Sequence, residues 1–143
     1  MSALSNPRIL KRFIIYLAML TFVMFGVWSF WGTFVETPAG DFEVREGDIK
    51  LSSGEFEAAV ADFDRALAVQ PNHRGALLGK AAALIQLQRY DAAEKVLTHA
   101  IDFLKNHLDP DDPTGRGALA AAYGNRGIVH DTQGRYEQAL SDY

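Results

Sequence analysis

The residues able to carry chemistry in this chain are few: four histidines, an acidic run and a short glycine-rich stretch. His73, His99, His107 and His130 include no pair four apart around a glutamate, the spacing that sets two imidazoles and a general base on one helix face for zinc hydrolysis. Each reads as a surface polar residue, His73 in a turn and the other three on or beside helical runs. Asp109, Asp111 and Asp112 invite a calcium reading, since hard cations want oxygen ligands on a turning loop. Such a loop needs alternating acids, a glycine at its sixth position and a glutamate at its twelfth; Pro113 and Thr114 stand where a ligand and that glycine belong. Gly115-Arg116-Gly117 lacks the preceding strand and the lysine of a phosphate loop. Ser52, Ser53 and Ser141 have no nucleophile context, and with no cysteine there is neither a thiol nucleophile nor a thiolate metal site. The expectation is a protein without catalytic residues, metal or cofactor.

The elements that carry these residues fall into two unlike parts. All 18 acidic residues of the 143 lie at Glu36 or beyond, whereas residues 1–35 carry only Arg8, Lys11 and Arg12. The first part is therefore +3 and the rest −7, from 11 bases against 18 acids. Phosphate binding needs a clustered positive surface, so an acidic body excludes nucleic acid as a main partner.

From Phe13 to Val35 run 23 residues without a charge. As a helix this stretch covers about 34 Å, enough for a hydrocarbon core of about 30 Å. Trp28, Trp31 and Phe34 gather near its outgoing end, where amphipathic rings settle at the headgroups, and Tyr16 is placed to do so at the other. The expected organisation is an N-terminal cytoplasmic segment 1–12 and a single transmembrane helix 13–35. The run is longer than the apolar region of a cleaved secretory signal, and Thr37-Pro38-Ala39 carries a proline where processing is disfavoured. Bases before the helix and acids after it place the remainder outside the cytoplasm: a bacterial inner-membrane protein with its body in the periplasm. Ala18, Thr21, Phe25, Ser29 and Gly32 share one helical face, and small residues there let a second membrane helix approach.

The remainder repeats. Laying 40–73 over 74–107 and 120–143 brings Gly47, Ala81 and Gly127 into register. Phe56, Tyr90 and Tyr136 coincide, then Ala59, Ala93 and Ala139, then Phe63, Leu97 and Tyr143, and Ala66 meets Ala100. The first period is 34 residues and the second 46, a 12-residue excess. Each unit holds two amphipathic helical runs split by a short polar break: Gly54-Glu55, Gln88-Arg89 and Gly134-Arg135. Pro71 ends the first unit's second helix, since it cannot donate the next hydrogen bond.

On these residues the chain resembles the tetratricopeptide repeat family, built of 34-residue helix–turn–helix units. The resemblance implies an all-α fold: the single transmembrane helix followed by a solenoid, 36–143, of about three repeats, the last incomplete. The repeats are placed at 40–73, 74–105 and 120–143, with 106–119 as an insertion loop read from its two prolines, two glycines and three aspartates. Asp112 or Thr114 is expected to cap the helix that follows. Lys105 stands where the family has proline, so the second unit's second helix is expected to run on. Because Tyr143 falls inside a helix of the third unit, the natural protein is expected to continue, since a solenoid needs a polar terminal cap.

The resemblance also implies a working surface, the concave groove lined by the first helix of each unit. Its positions carry over to Asp41, Val44, Asp48, Leu51 and Ser52, then Gly75, Leu78, Ala82, Ile85 and Gln86, then Ala121, Gly124, Ile128, Asp131 and Thr132. Asn125 falls where some members hold a ligand's backbone. The family's clamp for a terminal carboxylate is not matched, because Val44, Asp48, Ala121 and Asn125 replace its basic and amide groups. What remains is an apolar floor edged by acids, suited to an amphipathic protein segment. The expected function is a non-catalytic membrane-anchored scaffold, with protein partners and the lipid bilayer as contacts, that holds or assembles subunits of a membrane or envelope complex. Two alternatives are an accessory subunit of a respiratory or photosynthetic complex and the adaptor part of a longer enzyme continuing past residue 143.

Overall fold

The computed structural model describes residues 7–34, 38–109 and 111–143, and side chains for all of these except 31–34. The described elements are seven α-helices in two compact units, Met1–Thr37 and Pro38–Tyr143.

Among the described residues the first unit is one helix, α1, Pro7–Phe34. Proline suits a first turn, where its missing N–H has no helical acceptor to lose. Of this helix, Pro7–Phe30 is long and apolar enough to cross a membrane, with a mean hydropathy of 2.1 in its best window and none of that window buried. Arg8, Lys11 and Arg12 lie within its first two turns, so the helix starts earlier than the uncharged run; Val35 lies outside the described residues. Ala18, Thr21, Phe25 and Ser29 are all exposed, the Thr21 hydroxyl donating to the Ala18 carbonyl at 2.9 Å; the Gly32 position is outside the described side chains.

The second unit stacks six helices: α2 Asp41–Ser53, α3 Phe56–Val69, α4 Arg74–Gln86, α5 Tyr90–His107, α6 Pro113–Thr132 and α7 Tyr136–Asp142. Each packs on its chain neighbour, and α4 also touches both α2 and α6. The first helices of the three units thus lie side by side in one layer. Each pair turns through the same device: Glu55, Arg89 and Arg135 donate their N–H to Lys50, Leu84 and His130 carbonyls at 2.8–2.9 Å, over a left-handed residue. That residue is Gly54 (φ 84°) and Gly134 (φ 73°), but Gln88 (φ 57°) in the second unit, where the side chain carries a strain that glycine avoids.

Repeat positions explain the core. Ala59, Phe63, Ala66, Ala93 and Leu97 are sealed from solvent, and Ala139 nearly so. The Phe63 ring is wedged between α2 and α4: a Cβ on Gly47 would stand 2.7 Å from it, and one on Gly79 2.4 Å. Gly47 was legible as a repeat position; Gly79, which lets the next unit close on the same ring, was not.

The expected loop 106–119 is mostly helical. α5 extends to His107 and α6 begins at Pro113, leaving only 108–112 as a connection. The excess residues lengthen two helices instead: α5 has 18 residues against 14 in α3, and α6 has 20 against 13 in α2. Proline and glycine misled the reading because both sit where a helix start tolerates them: Pro113 in the first turn, and Gly115 where a Cβ would strike Leu108 at 2.3 Å. Asp112 caps α6, its carboxylate accepting from the Thr114 N–H at 2.9 Å.

Candidate functional site

Three helices, α2, α4 and α6, build the candidate surface, because α4 touches both of the others. On α4, Leu78, Ala82 and Ile85 recur at helical spacing and stay half-buried, too apolar for a fully wetted surface. On α6, Ile128 is exposed, Asn125 half-buried and Asp131 exposed; on α2, Leu51 is half-buried and Asp48 exposed. Val44 is different. Only 9% of it is accessible, and it packs in the cluster with Ala59, Phe63 and Ala76, so it supports the surface from beneath.

Four cations of this layer are held by acids, most of them on neighbouring helices. Lys50 pairs with the wholly buried Asp62 at 2.6 Å, Lys80 with Asp64 at 2.5 Å, Arg74 with Asp112 at 2.8 Å and Arg126 with Asp142 at 2.6 Å. Arg65 adds a second contact to Asp62. Partial desolvation, uncompensated by a cation, pushes the Asp48 carboxyl above its usual range.

At the leading ends of α4 and α6 the layer opens into a cleft of about 830 Å³. Leu78, Phe103, Leu104, Leu108 and Ala121 give it apolar walls, with His73, Arg74, Asp41 and Asp112 at its edge. The polar groups are already engaged. His73 caps α4 by accepting the Ala76 N–H through Nδ1 at 3.3 Å, while its Nε2 meets Asp41 at 2.8 Å. Arg74 holds Asp112, whose carboxyl is lowered by the Gly115 N–H and then by Arg74. Phe103 stacks on His107 with centroids 4.5 Å apart.

The histidines need one correction. His99 and His107 are exposed, but His130 is not a surface residue: it is 6% accessible and lies between two carboxylates. Its Nε2 is 3.3 Å from Glu94 and its Nδ1 3.2 Å from Asp142. Arg135 reaches Glu94 at 2.5 Å, and Arg126 takes Asp142 through two nitrogens, at 2.8 and 2.6 Å. The Arg135 hydrogen bond, with His130 assisting, holds the Glu94 carboxyl down at about 2. This network fastens α7 to α5 and α6. It joins residues 36 and 12 positions from His130, on separate helices, so no spacing within one helix could have revealed it. Each member holds another, so the network ties the three helices together. Among the described residues no cluster of three or more potential metal ligands occurs.

Comparison with known proteins agrees with this architecture. Residues 44–113 match the model of the tetratricopeptide repeat family. Among solved structures, the second tetratricopeptide domain of Spaghetti (RPAP3), bound to the HSP90 peptide SRMEEVD, is similar in fold. The TM-score is 0.60 at 23% identity, over 73% of this chain and 86% of that one. No curated protein matches the chain.

Proposed function

Residues 44–113 of this chain belong to the tetratricopeptide repeat family, and from that premise we propose that it is a membrane-tethered interaction module holding subunits of a membrane or envelope complex together. The observation that carries the reading is the shared layer of α2, α4 and α6. It leaves Leu78, Ala82, Ile85 and Ile128 incompletely buried on one face, beside an apolar cleft. A surface of this kind gains by covering apolar area with a partner's side chains, at about 25 cal/mol per Å² before the costs of association. The similar solved domain was captured with a peptide, which supports a peptide or protein segment as the class of ligand.

The second element is α1. Its length and hydropathy fit a bilayer span, and Arg8, Lys11 and Arg12 at its start favour a cytoplasmic N-terminus with the repeats on the far side. Tethering confines the repeat domain near its targets and so raises their effective concentration. No reaction is assigned to the chain.

The test is a pull-down of the full chain in gentle detergent, with partners identified by mass spectrometry, run beside Ile85→Asp and beside a version lacking residues 1–35. Specific partners that survive the deletion and vanish in Ile85→Asp support the reading. Partners indifferent to Ile85→Asp but lost with α1 would move recognition to the membrane helix and overturn it.

A further inference from the structure

The repeat register reveals a mismatch on α2. Phe42 falls where the later units have Ala76 and Ala122, and Ile49 where they have Ala83 and Val129. Those four later residues are sealed from solvent. Ala76 and Ala83 pack in one cluster with Phe63 and Ala66 of the unit before, and Ala122 and Val129 in another with Leu97 and Ala100. This is the face by which each first helix closes on its predecessor. On α2 the same face has no helix against it among the described residues, and Phe42 is 69% exposed and Ile49 62%.

The side chains themselves narrow what covers this face. Another repeat cannot dock there as α4 docks on α3, because that approach depends on Gly79 and two alanines beside the Phe63 ring. Arg45, Phe42 and Ile49 stand at those three positions on α2. Bulk at such a contact forces helix axes apart. An end repeat that meets only water carries a polar outer face instead. Phenylalanine and isoleucine seven residues apart on one helical face suit a fluid apolar boundary, which has no fixed shape to clash with. Chain connectivity supplies one. Six residues, 35–40, separate α2 from the helix read above as a membrane span, a reach of about 20 Å at full extension. Charge decides the lipid class. Arg45 and Glu46 flank the two apolar side chains on opposite sides, and α2 as a whole carries four acids and two bases, so nothing draws it to an anionic surface. Ser52 and Ser53 end the helix in polar residues, which confines the apolar patch to Phe42 and Ile49.

We propose that the Phe42–Ile49 face of α2 is a lipid contact, seated in the headgroup–acyl boundary of the bilayer and suited to neutral lipid. The proposal rests on the membrane reading of α1 and goes beyond the interaction reading, since it gives the free face of the first repeat a partner of its own. Two side chains make a weak contact alone, but a short tether holds them near the surface and raises their effective concentration there. No ion pair takes part, so the contact withstands added salt.

The experiment is spin labelling of the full chain in nanodiscs of phosphatidylcholine. The chain has no native cysteine, so Ile49→Cys, Lys95→Cys on α5 and Phe22→Cys on α1 each carry a single nitroxide. Power saturation compares collisions with oxygen, which concentrates in lipid, and with a nickel chelate, which stays in water. The expected oxygen-to-nickel ratio at Ile49 is well above that at Lys95, approaches that at Phe22 and does not change with salt. Phe42→Asp alters an exposed position, so helicity by circular dichroism should be unchanged while the docked fraction falls about tenfold and the Ile49 label becomes as wet as that at Lys95. A ratio at Ile49 equal to that at Lys95, with Phe22 in lipid, overturns the proposal and leaves the span intact; a wet label at Phe22 as well removes both. Immersion of Ile49 that is indifferent to Phe42→Asp, or that needs added anionic lipid, also overturns it. A label at Ile49 shielded from both reagents means that protein covers the face, and spin–spin broadening that fades on dilution with unlabelled chain identifies a second copy; either result contradicts the proposal.

Discussion

Replacing glycine by alanine should have opposite signs at two places in this domain, and the difference follows from where one ring sits. Alanine at Gly79 gains about 1 kcal/mol of helix propensity. Its methyl carbon, however, would stand 2.4 Å from the Phe63 ring, which is fully buried and pressed on its other side by Gly47. Overpacking of such a site costs about 1–3 kcal/mol, and a ring held from both sides belongs near the upper end. The net is a loss of about 1–2 kcal/mol, or a fall in Tm of roughly 5–10 °C. Alanine at Gly124 meets nothing within 4 Å, so only the propensity gain remains and Tm should rise by about 4–8 °C. Gly127 lies between: a Cβ there would stand 2.7 Å from Tyr143, but that ring is 70% exposed and can swing away, so the change should be close to nil. Thermal unfolding of the full chain in non-ionic detergent, followed by far-UV circular dichroism, reads all three. Tryptophan fluorescence is unsuitable because both tryptophans lie in α1. Phe63→Leu in the Gly79→Ala background should cost less than Phe63→Leu alone, since the two residues share one volume. A rise in Tm for Gly79→Ala equal to that for Gly124→Ala would refute the wedge.

Further expectations follow from single features. Gln88→Gly should raise stability by about 1 kcal/mol, seen as a higher urea midpoint at unchanged slope, because φ 57° is left-handed and its two counterparts are glycine. Glu94 has its folded carboxyl held at about 2 against 4.5 in the unfolded chain, so its stabilisation is complete above pH 4.5 and drains away as pH falls towards 2. In Glu94→Gln that portion of the acid-unfolding slope should vanish, with lower stability at neutral pH. A peptide of sequence SRMEEVD should bind the full chain no more tightly than its scrambled form by calorimetry, because Val44, Asp48, Ala121 and Asn125 offer no cation to its carboxylates. For topology, the absence of native cysteine makes Ser2→Cys and Ser53→Cys clean reporters. An impermeant maleimide should label Ser53→Cys in intact cells whose outer membrane has been opened, and Ser2→Cys only after lysis.

Much of the fold was legible because repetition multiplies weak signals. One buried alanine means little, but Ala59, Ala93 and Ala139 in register, each near zero exposure, fix the face of three helices. The cap at Asp112 was legible for a local reason, an acid just ahead of a helix start. The run-on of α5 was legible in Lys105, which stands where the repeat has proline; the early start of α6 was not, since proline, glycine and aspartate mark helix beginnings as readily as loops. Gly79 escaped because its partner ring belongs to the preceding repeat, and His130 because its two carboxylates come from other helices. Of the site, Leu78, Ala82 and Ile85 came only from the positions that the family resemblance implies; that they form a half-buried row is a property of the fold. The burial of Val44 and the cleft were not legible, being products of how neighbouring helices meet.

The claim that the α2–α4–α6 layer is the working surface is tested most directly by site-specific photocrosslinking in intact membranes. A photoreactive residue at Ile85, within the layer, is compared with one at Lys95, exposed on α5 outside it. The account predicts a discrete crosslinked partner from Ile85 and none from Lys95. Adducts from Lys95 alone, or identical patterns from both positions, would contradict it.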